Sequence, residues 1–478
     1  MSEVFATFGK RVLMIASFPV FLRCMAVCLL LNFSVISFAA PGRISYQVPD
    51  TVIGPAHPVW CYQANIYEVN LRQYTPAGSF TAFEKSLPRL KKMGVEILWF
   101  MPINPIGVEG RKNSSTDLGS YYSIKDYYGI NPEFGNMDQW KALVRSAHAM
   151  GFKVILDWVP NHSSPDNRWI RSHPDFYKKD SLGRPLIPYD WTDTRKLDYD
   201  NRVLRDSMIA AMTFWIRESG IDGFRCDVAG DVPDDFWKEA IKSFRKIKPF
   251  FMLAEGDKPS LHEDGFDATY PWNIMNVAYG INSGKATVRQ LDSVIRYNDS
   301  IYPKDAFRMF FTTNHDENSW NGTEFERFGE GYKTFAVWAF TMEKSIPLIY
   351  SGQEEPNRRR LKFFVKDTIR WGKYTLAPFY TTLNLLRRST PALAADASFR
   401  RLSTGHDDAI FAYLREKQGR KLLVVLNFSA APQTFSIRDL QINGEATDVF
   451  AHQAKHIKAA ETWTLPAWGY LLYNYHNK

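Results

Sequence analysis

The sequence predicts an α/β protein: a (β/α)8 TIM barrel with a short insertion after strand 3 and a C-terminal antiparallel β-sandwich. Three observations carry this. Eight short apolar runs alternate with amphipathic stretches between residues 60 and 391. Continuous apolar strands joined by helices imply a parallel sheet buried on both faces, and eight such units close naturally into a barrel. No GxGxxG follows the first strand, which disfavours an open, doubly wound sheet. After about residue 392 the helical periodicity stops, and short strands follow one another between turn residues.

The strands are read, in order, at Ala64–Asn70, Val95–Met101, Lys153–Val159, Gly223–Val228, Phe251–Glu255, Phe266–Tyr270, Arg308–Thr313 and Ile346–Tyr350. Between them, Phe83–Met93 carries Leu87, Leu90 and Lys91 at helical spacing. Met137–Met150 places Trp140, Leu143, Val144 and Ala147 on one face, and helices also fit Leu204–Ser219 and Phe236–Lys246. The stretch 161–201 is too long for an ordinary connection and holds Pro165, Pro174, Pro185 and Pro188. Loops of that length are usually functional, and this one leaves the side of the barrel where active sites form. Residues 392–478 form the sandwich, with strands at Ala409–Tyr413, Leu422–Leu426, Thr434–Ile437 and Trp468–Tyr473.

The chain of 478 residues exceeds what one core supports, about 250 to 300 residues. With 45% apolar and 23% charged residues it is globular rather than disordered. The net charge of +8 is mild, and its densest run, Arg358–Arg360, reads as solvated surface rather than a nucleic-acid site. Residues 1–40 read as a cleavable signal peptide. Lys10, Arg11 and Arg23 flank a broken apolar stretch that ends in Ala39-Ala40-Pro41. The apolar run after Arg23 is shorter than the roughly 20 residues of a membrane span, so a secreted or periplasmic chain is expected, with no span in its mature part. Cys24 and Cys28 leave with that segment, and Cys61 and Cys226 are expected as two buried thiols. No CxxC pair suggests zinc.

Four strand ends are polar in an unusual way. The third ends Asp157-Trp-Val-Pro-Asn161-His162, the fourth reads Gly223-Phe-Arg225-Cys-Asp227, the fifth ends Ala254-Glu255, and the seventh ends Asn314-His315-Asp316. Because side chains alternate, Arg225 and Asp227 share a face that Cys226 does not. Asp227, Glu255 and Asp316 then surround one axis. Repulsion and desolvation raise the pKa of at least one of three such carboxyls, while Arg225 favours the ionised form of its neighbour. One protonated acid beside one ionised carboxylate is what glycoside cleavage needs.

These four blocks resemble those of the α-amylase family of glycoside hydrolases (family 13), and the resemblance covers nearly all of the chain after the signal. It implies that Asp227 is the nucleophile, Glu255 the general acid/base and Asp316 the carboxylate that holds sugar hydroxyls. Arg225 orients the nucleophile, His162 and His315 bind the sugar, and Asp157 supports the network. Gly119–Tyr127 resembles a further family stretch, in which Tyr122, rather than Tyr121, stacks on the sugar. The implied reaction is double displacement with retention on α-1,4-linked glucans or maltooligosaccharides, with the Asp227 and Glu255 carboxyls about 5 to 5.5 Å apart. A transglycosylase, branching enzyme or sugar isomerase would use the same machinery. The lack of a long sandwich before residue 60 disfavours branching and cyclomaltodextrinase architectures. A non-catalytic glycan-binding or transporter-associated barrel would usually lack the three carboxylates. Val228-Ala-Gly-Asp231 stands where many relatives carry Lys-His, so acceptor contacts differ. Asn161 matches one calcium ligand, with Asp166, Asp175 and Asp180 as further oxygen donors nearby. Part of the aromatic excess (Tyr122, Trp158, Trp191, Tyr270, Trp272 and Trp320) is expected to line a sugar-stacking surface, and most of the 34 Phe to fill the core.

Overall fold

The structure, a computed structural model, describes Gln47–Val48 and residues 57–111 and 117–476. The signal expected over 1–40 lies outside the described residues. The barrel strands are β1 (Ile66–Val69), β2 (Ile97–Phe100), β3 (Lys153–Trp158), β4 (Gly223–Cys226), β5 (Phe251–Ala254), β6 (Ala268–Thr269), β7 (Phe307–Arg308) and β8 (Leu348–Tyr350). All neighbours are parallel, in the order β7-β6-β5-β4-β3-β2-β1-β8. The ring closes between β7 and β8. Arg308 N–H donates to Lys344 O at 2.7 Å, Ile346 N–H to Arg308 O at 2.8 Å, and Leu348 N–H to Phe310 O at 2.9 Å.

β3, β4, β5 and β7 stop short of their apolar runs at the C-terminal end, whereas β1, β2, β6 and β8 are trimmed mainly at the N-terminal end. Asp227 and Glu255 directly follow β4 and β5, with their N–H groups still donating to Trp158 O (2.8 Å) and Cys226 O (2.9 Å), and Asn314–Asp316 lie further on, in the segment beyond β7.

Helices pack outside. Met137–Ala149 starts with a capping box between Asn136 and Gln139. Arg202–Ser219 is capped by Asn201 and stops at Gly220, whose left-handed backbone suits glycine. The helix expected over Phe83–Met93 is split into Phe80–Glu84 and Leu87–Lys92. Pro88 has no N–H to donate back to Glu84, so the first helix cannot run through it, and a second starts at Leu87 with Pro88 in its first turn.

The C-terminal sheet runs in the order Gln47–Val48, Ser398–Leu402, Ile410–Lys417, Arg420–Asn427, Tyr470–Tyr475, Gly444–Asp448, Ala454–Ile457. The antiparallel pair Gln433–Ser436/Thr462–Leu465 forms the second layer. Alternation sorts the central strand. Leu422, Val424 and Leu426 join the barrel core, while Leu423 and Val425 meet Phe435, Trp463 and Leu465 of that second layer. The helix Tyr332–Thr341 is wedged between barrel and sheet and is buried from Thr334 to Thr341. No described helix is long and apolar enough to cross a membrane. Cys61 and Cys226 are free and buried.

Buried Arg415 pins the sheet to the barrel. Its guanidinium donates to the carbonyls of Thr341 (2.7 Å), Met342 (2.8 Å), Ala394 (2.8 Å), Ala397 (3.3 Å) and Ser398 (3.0 Å). Arg415→Met keeps the stem and orphans these acceptors. It should lower unfolding stability by about 3 kcal/mol, read as a lower denaturant midpoint at unchanged slope.

Candidate active site

The polar strand ends converge on one buried cation. β3 and β4 pair so that Asp157 stands opposite Arg225. The fully buried Arg225 donates from Nη1 to Asp157 Oδ1 at 2.9 Å and to Asp227 Oδ1 at 3.0 Å, and from Nε to Tyr270 Oη at 3.3 Å. Its Nη2 lies 3.0 Å from Glu255 Oε2, but the angle makes this an ion-pair contact without an aligned hydrogen bond. The rings of Trp99, Tyr122 and Tyr270 surround the guanidinium, with centroids at 5.3, 5.6 and 5.8 Å. Burial opposes the charge, but Asp157 and Glu255 outweigh it and hold the Arg225 proton more tightly than usual.

The two carboxyls on the far side of Arg225 differ in their restraint. Burial, and then the charge of Glu255, push the Asp227 carboxyl well above the ordinary carboxylate range, against the pull of Arg225. Glu255 is the more open, its side chain 19% exposed against 9% for Asp227. Its Oε2 also accepts the Val228 N–H at 2.8 Å. That N–H is aimed by a left-handed backbone at Val228 (φ 45°), an expensive conformation for a β-branched residue.

A second network starts at the other oxygen of Asp157. Oδ2 accepts from Tyr122 Oη at 3.1 Å and from Trp99 Nε1 at 3.2 Å. Burial pushes Asp157 up to about 6, despite Arg225 and His315. The Tyr122 ring stacks on His315, with centroids 5.5 Å apart, and its hydroxyl lies 2.7 Å from His315 Nε2. His315 Nδ1 is hydrogen-bonded to Glu68, and Nε2 is 3.2 Å from Asp316 Oδ2. Burial disfavours a charged ring here, but Asp316 and Glu68 outweigh it and raise His315 well above the usual histidine range. In return, burial pushes Asp316 up, and the charge of His315 brings it below its ordinary value.

The structure thus gathers Asp157, Arg225, Asp227, Glu255, Tyr122, His315 and Asp316 at one end of the barrel. Tyr121 faces away, its hydroxyl on Asn70 (3.0 Å) and its ring under Arg72. His162 stands to the side, beneath Trp191 (centroids 5.2 Å apart). Asn161 Nδ2 faces His162 Nδ1 at 3.1 Å, and burial and then Lys196 hold this imidazole down at about 3, so it is neutral.

Three expectations need correction. Trp158 is no stacking platform: it alternates with Asp157, points into the helix layer and donates to Met208 Sδ at 3.2 Å. Tyr270 is fully buried against Arg225, while Trp191, Trp272 and Trp320 keep partial exposure. Asn161 does not fit a calcium ligand, because its Oδ1 accepts from Lys196 Nζ. Asp166 is engaged by Val108 N–H and Lys125, Asp175 by Asn201, and Asp180 by Arg184 and Leu182 N–H. Among the described residues no cluster of three or more His, Cys, Asp or Glu could hold a metal.

Sequence reasoning missed Glu68, Trp99, Lys196 and the backbone of Val228. Only Glu68 left a signal, as the one charge within a fully buried strand.

The family model for the α-amylase catalytic domain matches residues 65–183 and 186–362, and that for the maltogenic amylase C-terminal domain matches 399–472. The α-amylase MalA of Haloarcula japonica is 26% identical over 404 residues, 80% of this chain and 57% of that protein. Alpha-amylase 2 of Dictyoglomus thermophilum is 26% identical over 80% of this chain and 69% of its own length. The chain therefore spans little more than half of the first relative. Among solved structures, a maltogenic α-amylase from Thermotoga neapolitana superposes with a TM-score of 0.79 at 29% identity, covering 87% of this chain and 99% of that one.

Glu68→Gln removes one of the two carboxylates that keep His315 charged. Losing that charge lowers the histidine pKa, so the ring should release its proton at a pH lower by about one unit or more, followed by NMR of the imidazole nitrogens. An unchanged titration would leave Asp316 as the only group that matters.

Proposed function

The chain belongs to the α-amylase family of glycoside hydrolases, and from that premise we propose an exported enzyme that cleaves α-1,4-glucosidic bonds of starch-like glucans or maltooligosaccharides with retention. The observation that carries the chemical part is the unequal grip of Arg225. Two aligned hydrogen bonds from Nη1 tie Asp157 and Asp227 into one rigid unit, whereas Glu255 is touched without alignment and is more open. A fixed carboxylate suits a nucleophile, and a freer one suits a group that must give up and retake a proton.

In this reading Asp227 attacks the anomeric carbon as Glu255 protonates the leaving oxygen. The glycosyl ester on Asp227 is then released when Glu255 takes a proton from water. Asp316 holds sugar hydroxyls, charged His315 backs it with both ring nitrogens engaged by Glu68, Tyr122 and Asp316, and Tyr122 offers its ring to the same sugar. Neutral His162 donates from the flank. Oxocarbenium character in the transition state is stabilised by the carboxylates gathered around it. A sugar hydroxyl in place of water gives transfer by the same steps. The three carboxylates and their shared arginine speak against a barrel that only binds glycans.

Asp227→Asn should lower turnover of maltotriose and amylose by about 10³-fold or more. Glu255→Gln should do the same for these substrates, yet keep much of the first step on maltosides with activated aryl leaving groups, which need no proton. The first product should be the α anomer by NMR. Near wild-type turnover in either variant, or an initial β anomer, would sink the reading. Shorter linear products mean hydrolysis, and longer ones transfer.

Export rests on the basic flank, apolar stretch and small residues before Pro41. Protein recovered from periplasm or medium should begin within a few residues of Pro41 on N-terminal sequencing. An intact N-terminus retained in the cytoplasm would refute it.

A further inference from the structure

The insertion after β3 meets the ends of β3 and β4 at Asn161, the position the family resemblance marks for calcium. A lysine occupies that junction. We infer that the Lys196 ammonium is a built-in cation that replaces a divalent metal there, so that the insertion is held without one.

The placement follows from register. His162–Ser163 and Arg195–Lys196 pair antiparallel, with His162 opposite Lys196 and Ser163 opposite Arg195. Leu197 N–H donates to Asn161 O at 3.1 Å and extends the pairing by one step. Cross-strand neighbours lie within side-chain reach, so Lys196 arrives beside Asn161. Its Nζ donates to Asn161 Oδ1 and lies 3.7 Å from Asp231 Oδ2, and its side chain is only 18% exposed. Asp231 also accepts from Tyr189 Oη, a second link from the insertion. One ammonium therefore joins the end of β3, the turn after β4 and the returning arm of the insertion.

This geometry excludes a metal in that position. An ammonium can only donate, so it turns the Asn161 oxygen toward itself and the amide nitrogen toward His162 Nδ1. Calcium needs six to eight oxygens at about 2.3 to 2.6 Å, and the one Asn161 supplies is taken. Lys178 and Lys258 add positive potential at Lys196. Asp231 is the one carboxylate paired with Lys196, and Lys178 is itself paired with Asp198 and Asp200.

The test uses the full chain. After equilibration with calcium and gel filtration, plasma emission should find far less than one calcium per chain. The thermal midpoint should be the same in calcium and in EGTA. Lys196→Met, which keeps the stem and removes the charge, should lower the midpoint by about 2 °C or more in both buffers. Stoichiometric calcium in the wild type, or a wild-type midpoint that falls in EGTA, would overturn the inference. So would Lys196→Met with an unchanged midpoint. If that variant does not fold, the two wild-type measurements still decide.

Discussion

The site depends on a shortage of positive charge. Five carboxyls (Glu68, Asp157, Asp227, Glu255 and Asp316) are gathered by two cationic groups, Arg225 and His315. Charges this deep cannot be screened by water, so the excess must be met by protons. The shifts divide that burden. Asp227 and Asp157 are pushed up, and Asp316 is held down beside the charged imidazole. Asp227 is pushed up by burial and by the charge of Glu255, so a proton on Glu255 relieves part of that push and favours ionised Asp227 beside Arg225, the distribution that the proposed attack requires. Linkage sets the cost. The folded chain holds protons on Asp157 and His315 that the unfolded chain would release. Both groups therefore withdraw stability as pH rises, Asp157 from the ordinary aspartate range up through about 6 and His315 above the usual histidine range.

The barrel makes this arrangement affordable by keeping its ladders short. β4 ends at Cys226 and β5 at Ala254, and Asp227 and Glu255 follow directly. Each still donates its N–H to the neighbouring strand, Asp227 to Trp158 O at 2.8 Å and Glu255 to Cys226 O at 2.9 Å, and so keeps the inward direction of its own strand. Val228 then turns left-handed, and its N–H points at Glu255 instead of extending the sheet. Strain of this kind costs about 1–3 kcal/mol and survives only where the surroundings over-determine it. Here Asp231 N–H closes a turn onto Val228 O at 3.0 Å, and Trp237 Nε1 donates to Ala229 O at 3.1 Å.

Much of this was legible in the sequence because strand parity is a strong rule. Eight apolar runs become eight barrel strands, and the polar residues at their ends meet as alternation requires. Parity also explains the error at Trp158. Adjacent to Asp157, it had to point outward, and an aromatic near a site is no platform when it faces the helices. What stayed hidden depends on long-range pairing. Glu68 comes from the first strand and His315 from the end of the seventh, and only ring closure joins them. Lys196 looks like any lysine in a polar loop until the two-residue pairing with His162–Ser163 sets its register. Of the C-terminal strands that were missed, Gly444–Asp448, Ala454–Ile457 and Thr462–Leu465 have one wet face and so leave short, weakly apolar runs, whereas Ser398–Leu402 is mostly buried and is masked by Arg400 and Arg401.

The departures from the family pattern form one set. Where the family resemblance places Lys-His after the position of Asp227, this chain has Val228-Ala-Gly-Asp231, and Asp231 is the residue that meets both Lys196 and Tyr189. Gly230 leaves its carbonyl to Lys258 from the β5 loop. The turn after β4 thus supplies an anion and a carbonyl where the family resemblance places a cation, and the cations arrive from the insertion and from the β5 loop. Positive charge at this rim is relocated rather than lost. A lysine held on three elements also does one thing a metal does not. It carries its link in the chain, so the junction of insertion and barrel is set when the chain folds.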